Sequence, residues 1–388
     1  MAASLSVAFS ILEALVGAAI VLVVLIDVFQ SIVTPRPTAG RLRSSRYLVR
    51  YLWYVCRWLS YRLKSTRRRD ALLGSFGPFS VLAMLFNWVV LLLLGYGLLL
   101  DAMRDQIRPS PPGFGTSLYF AATSMFTIGF GDYVATSAPA RIVSILAGAT
   151  GLGMFALVIT FLYSVTQAFQ RREVAVVSLE AGAGAPPSGV TLLETYALAG
   201  LDGDLAEVFR RWQDWAAEVL DTHLAYTPLA YFRSSHDNDS WIGSLGAVMD
   251  AATLVLTTLE MDDGNESPGG PLLTRRARGW AKLARSVGGH CIEDLVLYYD
   301  LPDVRDVGVE FDEFRQARHR LAKVGYRLRP ETEAWDAFRR YRSEYAGRIN
   351  SIAIYWACPP GQWIGDRSPL RQRARHDGNL SSLAPPRG

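Results

Sequence analysis

The chain has 388 residues, enough for two or three domains, and half of the residues are hydrophobic. Its formal net charge of +4 is too small to indicate nucleic-acid binding. The three cysteines, Cys56, Cys291 and Cys358, have no CxxC spacing, which indicates reduced thiols and no disulfide or zinc site.

Three apolar segments are long enough for helices that cross a bilayer core of ~30 Å. They lie at about 11–33, 79–100 and 142–161. A cleaved secretory signal is the alternative for the first segment, but the start of the sequence lacks a basic region and no small-residue cleavage site follows. We therefore expect a first transmembrane helix at 8–34.

The distribution of charge predicts the orientation of these helices. Between Pro35 and Asp70 there are eleven basic residues and a single acid, whereas residues 1–10 have no basic residue and 101–138 have two basic and three acidic residues. Basic segments stay in the cytoplasm. We expect a multi-pass protein of the cell membrane with its N-terminus outside and its C-terminal part in the cytoplasm.

The basic segment 35–75 contains the stretch "RYLVRYLWYVCRWLSYRL" at 46–63. As a spanning helix it would bury several arginines, at ~2.5–3.5 kcal/mol each. Its mixture of Trp, Tyr and Arg favours an amphipathic helix at the level of the lipid headgroups, with a fourth span as the alternative. The basic residues of 36–69 also predict attraction to anionic lipid.

Residues 123–133 read "TSMFTIGFGDY" and lie between two apolar segments. Gly129 and Gly131 allow positive φ angles, and they alternate with Ile128 and Phe130. This alternation lets successive carbonyl groups face one side, as a partly dehydrated monovalent cation requires. Irregular backbone at membrane depth must be packed in protein or line water.

The sequence "TIGFGD" at 127–132 resembles the selectivity filter of potassium channels. The preceding "SLYFAATSMF" at 117–126 resembles the pore helix, and residues 76–172 as a whole resemble the two-helix pore-loop channels of the bacterial type. The resemblance implies an all-α membrane protein with outer helix, pore helix, filter and inner helix. It also implies a homotetrameric potassium channel that is not an enzyme and needs no cofactor besides the permeant K⁺.

The same resemblance assigns roles to individual residues. Thr123 departs from the family pattern, because many members have a glutamate there that bonds the acid matching Asp132; this predicts weaker bracing of the filter. The implied ion-binding residues of the filter are Thr127, Ile128, Gly129, Phe130 and Gly131, and the implied supporting residues are Tyr119, Phe120, Thr123 and Asp132.

Two further features of the membrane part remain open at this stage. The inner-helix glycines Gly148, Gly151 and Gly153 fit either a gating hinge or close helix packing. Asp27 is an intramembrane acid, which is costly to bury. We expect it either to pair with an arginine of 41–57 or to titrate and couple pH to gating.

The residues after the inner helix have the composition of an ordinary soluble protein. We expect a linker at 173–189, a mainly helical cytosolic domain at 190–366 and a disordered tail at 367–388. Within the domain, periodicity predicts helices at 204–220, 240–260 and 333–356, the second of them a buried core helix. No dinucleotide-binding motif or strand-rich nucleotide-binding barrel is visible.

Three polar clusters of the soluble part, at 235–240, 259–267 and 289–295, are interpreted as solvated loops or caps, with a cation site as the alternative for the first. A potassium transporter would need four filter repeats, and this sequence has one. The alternative function is a membrane-anchored receptor or signalling protein whose activity resides in the cytosolic domain. Conduction after removal of everything beyond Gly182 would favour the channel.

Overall fold

The computed structural model describes residues 2–33, 44–234, 240–261, 273–302, 309–358 and 361–363. The described part is mostly helical, in agreement with the predicted all-α class. The chain divides into two compact units. Unit 1 comprises Met1–Ala168 and Ala225–Phe232, and unit 2 comprises Phe169–Leu224 and Arg233–Gly388.

Unit 1 is built around three long apolar helices. Three helical segments are long and apolar enough to cross a membrane, and they coincide with the three predicted spans: Val7–Ile32, Thr66–Asp101 and Ala138–Ala183. The elements are α1 (Ala2–Val28, followed by a π-helical turn Phe29–Val33), α2 (Ser44–Arg62), α3 (Thr66–Asp101), β1 (Ile107–Arg108), α4 (Phe114–Met125), β2 (Val134–Ala135) and α5 (Ala138–Ala183).

Glycines bring α1 and α3 into close contact. A Cβ atom added at Gly17 would lie 2.7 Å from the carbonyl oxygen of Gly95, and one at Gly95 would lie 2.8 Å from Cγ2 of Val21. Helices in lipid associate through such small residues because the backbones can then approach closely. The additional N-terminal helix therefore packs directly on α3.

Asp27 joins α1 to the two helices that follow it. Its fully buried carboxylate accepts hydrogen bonds from Ser44 Oγ (2.7 Å), the Ser45 amide (2.9 Å), Ser45 Oγ (2.8 Å), Trp88 Nε1 (3.1 Å) and Ser31 Oγ (3.3 Å). These described donors include no arginine, while Arg41 and Arg43 of the predicted range 41–57 lie outside the described residues. Among the described residues, the positive end of α2 takes the place of an arginine, because Ser44 and Ser45 open that helix and their donors need an acceptor.

The helix α2 covers the predicted stretch 46–63. One face, which includes Val49, Trp53 and Arg57, is buried, whereas Tyr51 and Trp58 on the opposite face are exposed. The guanidinium of Arg62 stacks on the Trp58 ring at 3.8 Å. The helix is therefore two-sided, with aromatic and basic side chains on the face that does not pack on protein.

The helix α5 extends further than the sequence predicts. Residues 173–183 of the predicted linker 173–189 are helical, and the chain turns only after Ala183, where Gly184 has a φ of +78°. Val176, Leu179 and Ala183 are buried at helical spacing, and alanine is the best helix former, so packing and propensity together override the glycines. At its start α3 likewise precedes the predicted pore boundary at 76.

Unit 2 surrounds one buried helix. Its further helices are α6 (Gly189–Leu198), α7 (Leu205–Ala225), α8 (Trp241–Thr257), α9 (Arg275–Tyr299), α10 (Phe311–Lys323), α11 (Glu331–Ser343) and α12 (Ala346–Tyr355). Nearly every residue of α8 is buried, which confirms the core helix predicted at 240–260. The tail predicted at 367–388 lies outside the described residues.

The helix predicted at 333–356 is interrupted between α11 and α12 by a buried polar network. Asp250 of α8 accepts hydrogen bonds from Arg342 Nε (3.2 Å) and Tyr345 Oη (2.5 Å). All three side chains are buried, so the carboxylate needs both donors. Tyr345 lies at the break and reaches the network from there.

A second buried cluster of unit 2 joins Arg172 and Glu173 of α5 to His223 of α7. The guanidinium of Arg172 contacts Glu173 Oε1 (3.1 Å) and His223 Nε2 (3.3 Å), while His223 Nδ1 lies 2.8 Å from the Val219 carbonyl. This arrangement assigns the proton to Nδ1 and leaves Nε2 as the acceptor. Burial and the charge of Arg172 hold the pKa of His223 well below 6.5.

The neutral state of His223 predicts a pH-dependent stability of unit 2. Because the folded-state pKa is depressed, the stabilisation is fully present above about pH 6.5 and decreases as the pH falls toward the folded-state pKa, by at most about 1.4 kcal/mol per pH unit. We expect His223→Gln to lose this component when thermal unfolding of the full chain is followed between neutral and mildly acidic pH. The exposed His290 provides the control, because His290→Gln should retain the wild-type slope.

The network around Asp27 predicts a stability effect in unit 1. Asp27→Asn conserves the shape but presents an amide donor to groups that are themselves donors, so we expect a loss of about 1–3 kcal/mol of stability. Thermal unfolding in detergent measures it. Asp105→Asn, at an exposed position, is the control, and equal unfolding temperatures for both variants would contradict the assigned role.

Candidate functional site

The segment after α4 has an alternating backbone. Thr127, Gly129 and Gly131 have φ angles of +56°, +60° and +82°, while Ile128 and Phe130 between them are outside the left-handed region. The positive φ expected at both glycines is confirmed. Thr127 shares it although a side chain disfavours this conformation, so the segment is strained there.

The end of α4 holds this segment through its own carbonyl groups. The Thr123 carbonyl accepts hydrogen bonds from the amides of Ile128 (2.9 Å) and Gly129 (3.3 Å), and the Ser124 carbonyl accepts one from Thr127 (3.1 Å). These carbonyls have no partner within the helix, because they lie in its last turn. The segment therefore folds back on the helix that precedes it.

The side chains around the segment agree only in part with the implied supporting roles. Thr123 donates its hydroxyl to the Phe120 carbonyl at 3.0 Å and so is turned toward its own helix. A hydrogen bond with the Asp132 carboxylate raises the pKa of the Tyr119 phenol. Tyr119 also stacks on Phe130 with parallel rings 6.5 Å apart. Tyr119 thus supplies bracing that Thr123 does not.

The start of α4 is fixed to the end of α3. The buried carboxylate of Asp101 accepts hydrogen bonds from Ser117 Oγ (2.8 Å) and Arg104 (2.6 Å). A Cβ atom added at Gly97 would lie 2.8 Å from the Leu118 side chain. Sequence reasoning did not assign these residues a role, although an acid that ends an apolar run was a usable signal.

The strands β1 and β2 close the connection around the site. Ile107 pairs with Ala135 and Arg108 with Val134 in antiparallel register, so the two ends of the segment 109–133 are held together. That segment contains α4 and the alternating backbone. Closing both ends limits how far either can move relative to the other.

The inner-helix glycines have different surroundings. A Cβ atom at Gly151 would lie 1.8 Å from the Met125 carbonyl oxygen, and one at Gly148 would lie 3.3 Å from the Ser124 carbonyl oxygen. Nothing lies within 4 Å of such an atom at Gly153. Gly151 therefore serves close packing of α5 on the end of α4, and α5 is helical through all three positions.

Much of the apolar surface near the site is exposed in the single chain. Phe130 is 69% exposed, and Leu152, Phe155 and Ile159 of α5 are similarly exposed. In a helix long enough to cross a membrane, such a surface faces lipid or other protein chains.

The described residues of the remaining polar clusters give no second site. His236, Asp237 and Asp239 of the cluster at 235–240, and residues 262–267 of the cluster at 259–267, lie outside the described residues. In the cluster at 289–295, His290 and Asp294 form an exposed pair at 3.3 Å, while burial raises the pKa of Cys291 to about 12. Within the described ranges, no three His, Cys, Asp or Glu side chains are grouped as metal ligands.

The packing of α4 on α5 predicts different effects of two substitutions in one helix. Gly151→Ala forces a methyl group into the Met125 carbonyl, and we expect overpacking to cost about 1–3 kcal/mol. Gly153→Ala meets open space and should be neutral or slightly stabilising. Thermal unfolding of the two variants in one detergent measures the difference, and the prediction is wrong if Gly153→Ala is the less stable protein.

A comparison with known protein families finds a match in the membrane part of the chain. Residues 79–168 match the model of a family described as "Ion channel". No curated protein and no solved structure matches the chain. The matched range lies within residues 76–172, from which the resemblance to potassium-channel pores was inferred, and it contains α4 and the alternating segment. Residues 79–168 therefore form an ion channel domain of the two-transmembrane-helix, potassium-channel-like pore family.

Proposed function

We propose that the protein is a potassium-selective channel in which residues 127–131 are the filter. The observation that supports this most directly is the alternation of positive φ at Thr127, Gly129 and Gly131. Backbone carbonyls arranged in this way can replace the water shell of K⁺. The carbonyls of Thr127, Ile128, Gly129 and Phe130, with the Thr127 hydroxyl, would provide the ion sites, and no other cofactor is required.

A conducting filter requires more than one chain. Each chain contributes one filter segment, and a ring of carbonyls that surrounds an ion needs four of them, so we propose a homotetramer with closed symmetry. The exposed side chains of Phe130, Leu152, Phe155 and Ile159 support this assembly, because they offer apolar surface to neighbouring chains.

The topology proposed for this channel follows the charges. The basic residues between 35 and 70 would keep α2 on the cytoplasmic side of the cell membrane. One span further along the chain, the filter would then open to the outside, and unit 2 would be cytoplasmic. The exposed aromatic face of α2, with Arg62 stacked on Trp58, suits the headgroup region and anionic lipid in particular.

The surroundings of the three glycines of α5 favour one of them as the gating hinge. Gly151 and Gly148 contact the end of α4, so bending at either would disturb the helix that holds the filter. Gly153 has no such contact and is our proposed hinge.

The alternative of a membrane-anchored receptor predicts no selective conduction. The discriminating measurement is ion flux from proteoliposomes that contain the full chain, under K⁺ and then under Na⁺ gradients, with Ba²⁺ as blocker. We expect Ba²⁺-sensitive K⁺ flux at least about tenfold above Na⁺ flux, since a carbonyl-lined filter discriminates between the two ions. Equal K⁺ and Na⁺ fluxes would contradict the proposed selectivity. The absence of any flux would favour the membrane-anchored receptor.

A substitution at the filter tests the assignment of residues. Gly129 has a φ of +60° and open space around a virtual Cβ, so Gly129→Ala acts through backbone strain and not through a clash. We expect it to abolish K⁺ flux while the assembled tetramer persists on size-exclusion chromatography. Gly115→Ala, in α4 with open surroundings, is the matched control and should conduct. Selective flux retained in Gly129→Ala would contradict the assignment.

A further inference from the structure

A short segment of the soluble part belongs to unit 1. Residues Ala225–Phe232, with the sequence "AYTPLAYF", start at the last residue of α7 and contain a 3-10 helix at Thr227–Tyr231. The residues before and after the segment belong to unit 2, whereas the segment itself belongs to the compact unit that contains the ion channel domain. We call residues 225–232 the strap.

The strap is packed tightly on α2 and α3. The Tyr231 ring lies 5.3 Å from the Trp53 ring and 5.4 Å from the Phe76 ring. A Cβ atom added at Gly77 would lie 2.7 Å from the ring of Phe232 and 2.9 Å from its Cα. Tyr231 is almost completely buried. This contact requires both the glycine of α3 and the aromatic residues of the strap.

The strap also contacts the inner helix. The Tyr226 ring lies 5.8 Å from the ring of Phe161 in α5, and on another side the Trp88 ring lies 6.5 Å from it. Phe161 is 1% exposed, although its neighbours Ile159 and Tyr163 are mostly exposed. Phe161 is therefore held between the strap and the outer helix α3.

Phe161 is well placed to report on the inner helix. It follows Gly153, the proposed hinge, by two turns of helix, or about 12 Å. A movement of α5 beyond that glycine must either carry the strap along or break the contact between Tyr226 and Phe161. The strap starts at Ala225, the last residue of α7, so a movement of α7 is transmitted to the strap through the chain.

We propose that the strap is the mechanical link through which the C-terminal unit sets the position of the inner helix, and hence the opening of the pore. This inference rests on the proposed channel function. A link made by packed aromatic rings has discrete arrangements, so a movement of unit 2 would shift the pore between states. A purely structural role would make the strap part of the unit's core without an effect on flux.

Two alanine substitutions in α3 test the link. Gly77→Ala places a methyl group against the Phe232 ring and backbone, so the strap must move, whereas Gly74→Ala, less than one turn away, meets open space. We expect Gly77→Ala to lower the hydrogen-exchange protection of residues 225–232 and 155–168. K⁺ flux per tetramer should change by at least about fivefold, upward if the strap holds the pore shut and downward if it holds the pore open. Gly74→Ala should leave both readouts at the wild-type level.

A second variant covers the case in which Gly77→Ala does not fold. Tyr226→Ala removes only the ring that contacts Phe161 and should change K⁺ flux in the same direction as Gly77→Ala. Tyr163→Ala, at an exposed position of α5 two residues after Phe161, should leave the flux unchanged. Unchanged flux in Tyr226→Ala overturns the link, as does a strap that loses protection in Gly77→Ala without a change in flux.

The outcomes also separate this inference from the channel function. Wild-type flux under K⁺ and Na⁺ gradients tests the function alone. If the wild-type protein does not conduct, the function fails, and the link is then judged by protection of 155–168 in Gly77→Ala. If Gly77→Ala lowers the hydrogen-exchange protection of residues 225–232 but leaves that of residues 155–168 unchanged, the link is overturned as well.

Discussion

The seating of α4 on the inner helix is the constraint on which the rest of the ion channel domain depends. Gly151 brings α5 so close to the Met125 carbonyl that no side chain fits between them. A helix of 12 residues has little stability of its own, so its position comes from its packing on α3, from the Gly151 contact and from the Asp101–Ser117 hydrogen bond near its start. The Thr123 and Ser124 carbonyls of α4 then accept hydrogen bonds from the amides of the alternating segment. The position of the alternating segment 127–131 thus depends on the contacts that hold α4 in place.

Two buried acids of unit 1 fix the starts of helices. Asp27 accepts the amide of Ser45 at the start of α2 and the indole of Trp88, and Asp101 accepts Ser117 near the start of α4. A carboxylate at membrane depth is costly to bury alone, and helix N-termini offer both unpaired donors and a favourable dipole. Because hydroxyl, amide and indole donors satisfy Asp27, three helices are joined without the burial of a second charge.

The parts of this structure that the sequence predicts are those determined locally. Three apolar runs give three helices, and Gly129 and Gly131 adopt positive φ because glycine alone does so without cost. The partners of Asp27 and the docking of Tyr231 depend on residues far apart in the chain, which periodicity cannot locate. The helical part of the linker predicted at 173–189 was missed for the same reason, since α5 continues to Ala183. Its glycines were visible in the sequence, but the burial of Val176, Leu179 and Ala183 that keeps the segment helical was not.

The compact unit that contains the ion channel domain includes the strap, which follows the first 168 residues only after a stretch of unit 2. By sequence, a cut after Gly182 separates the pore from the soluble part, and conduction by the remainder would indicate an independent channel. In the structure that cut also removes residues 225–232, which bury Phe161 and pack on Trp53 and Gly77. Loss of conduction after such a cut would therefore reflect an incomplete unit 1 as readily as a missing regulator. Point variants in the full chain avoid this ambiguity, since they alter one contact and leave both units whole.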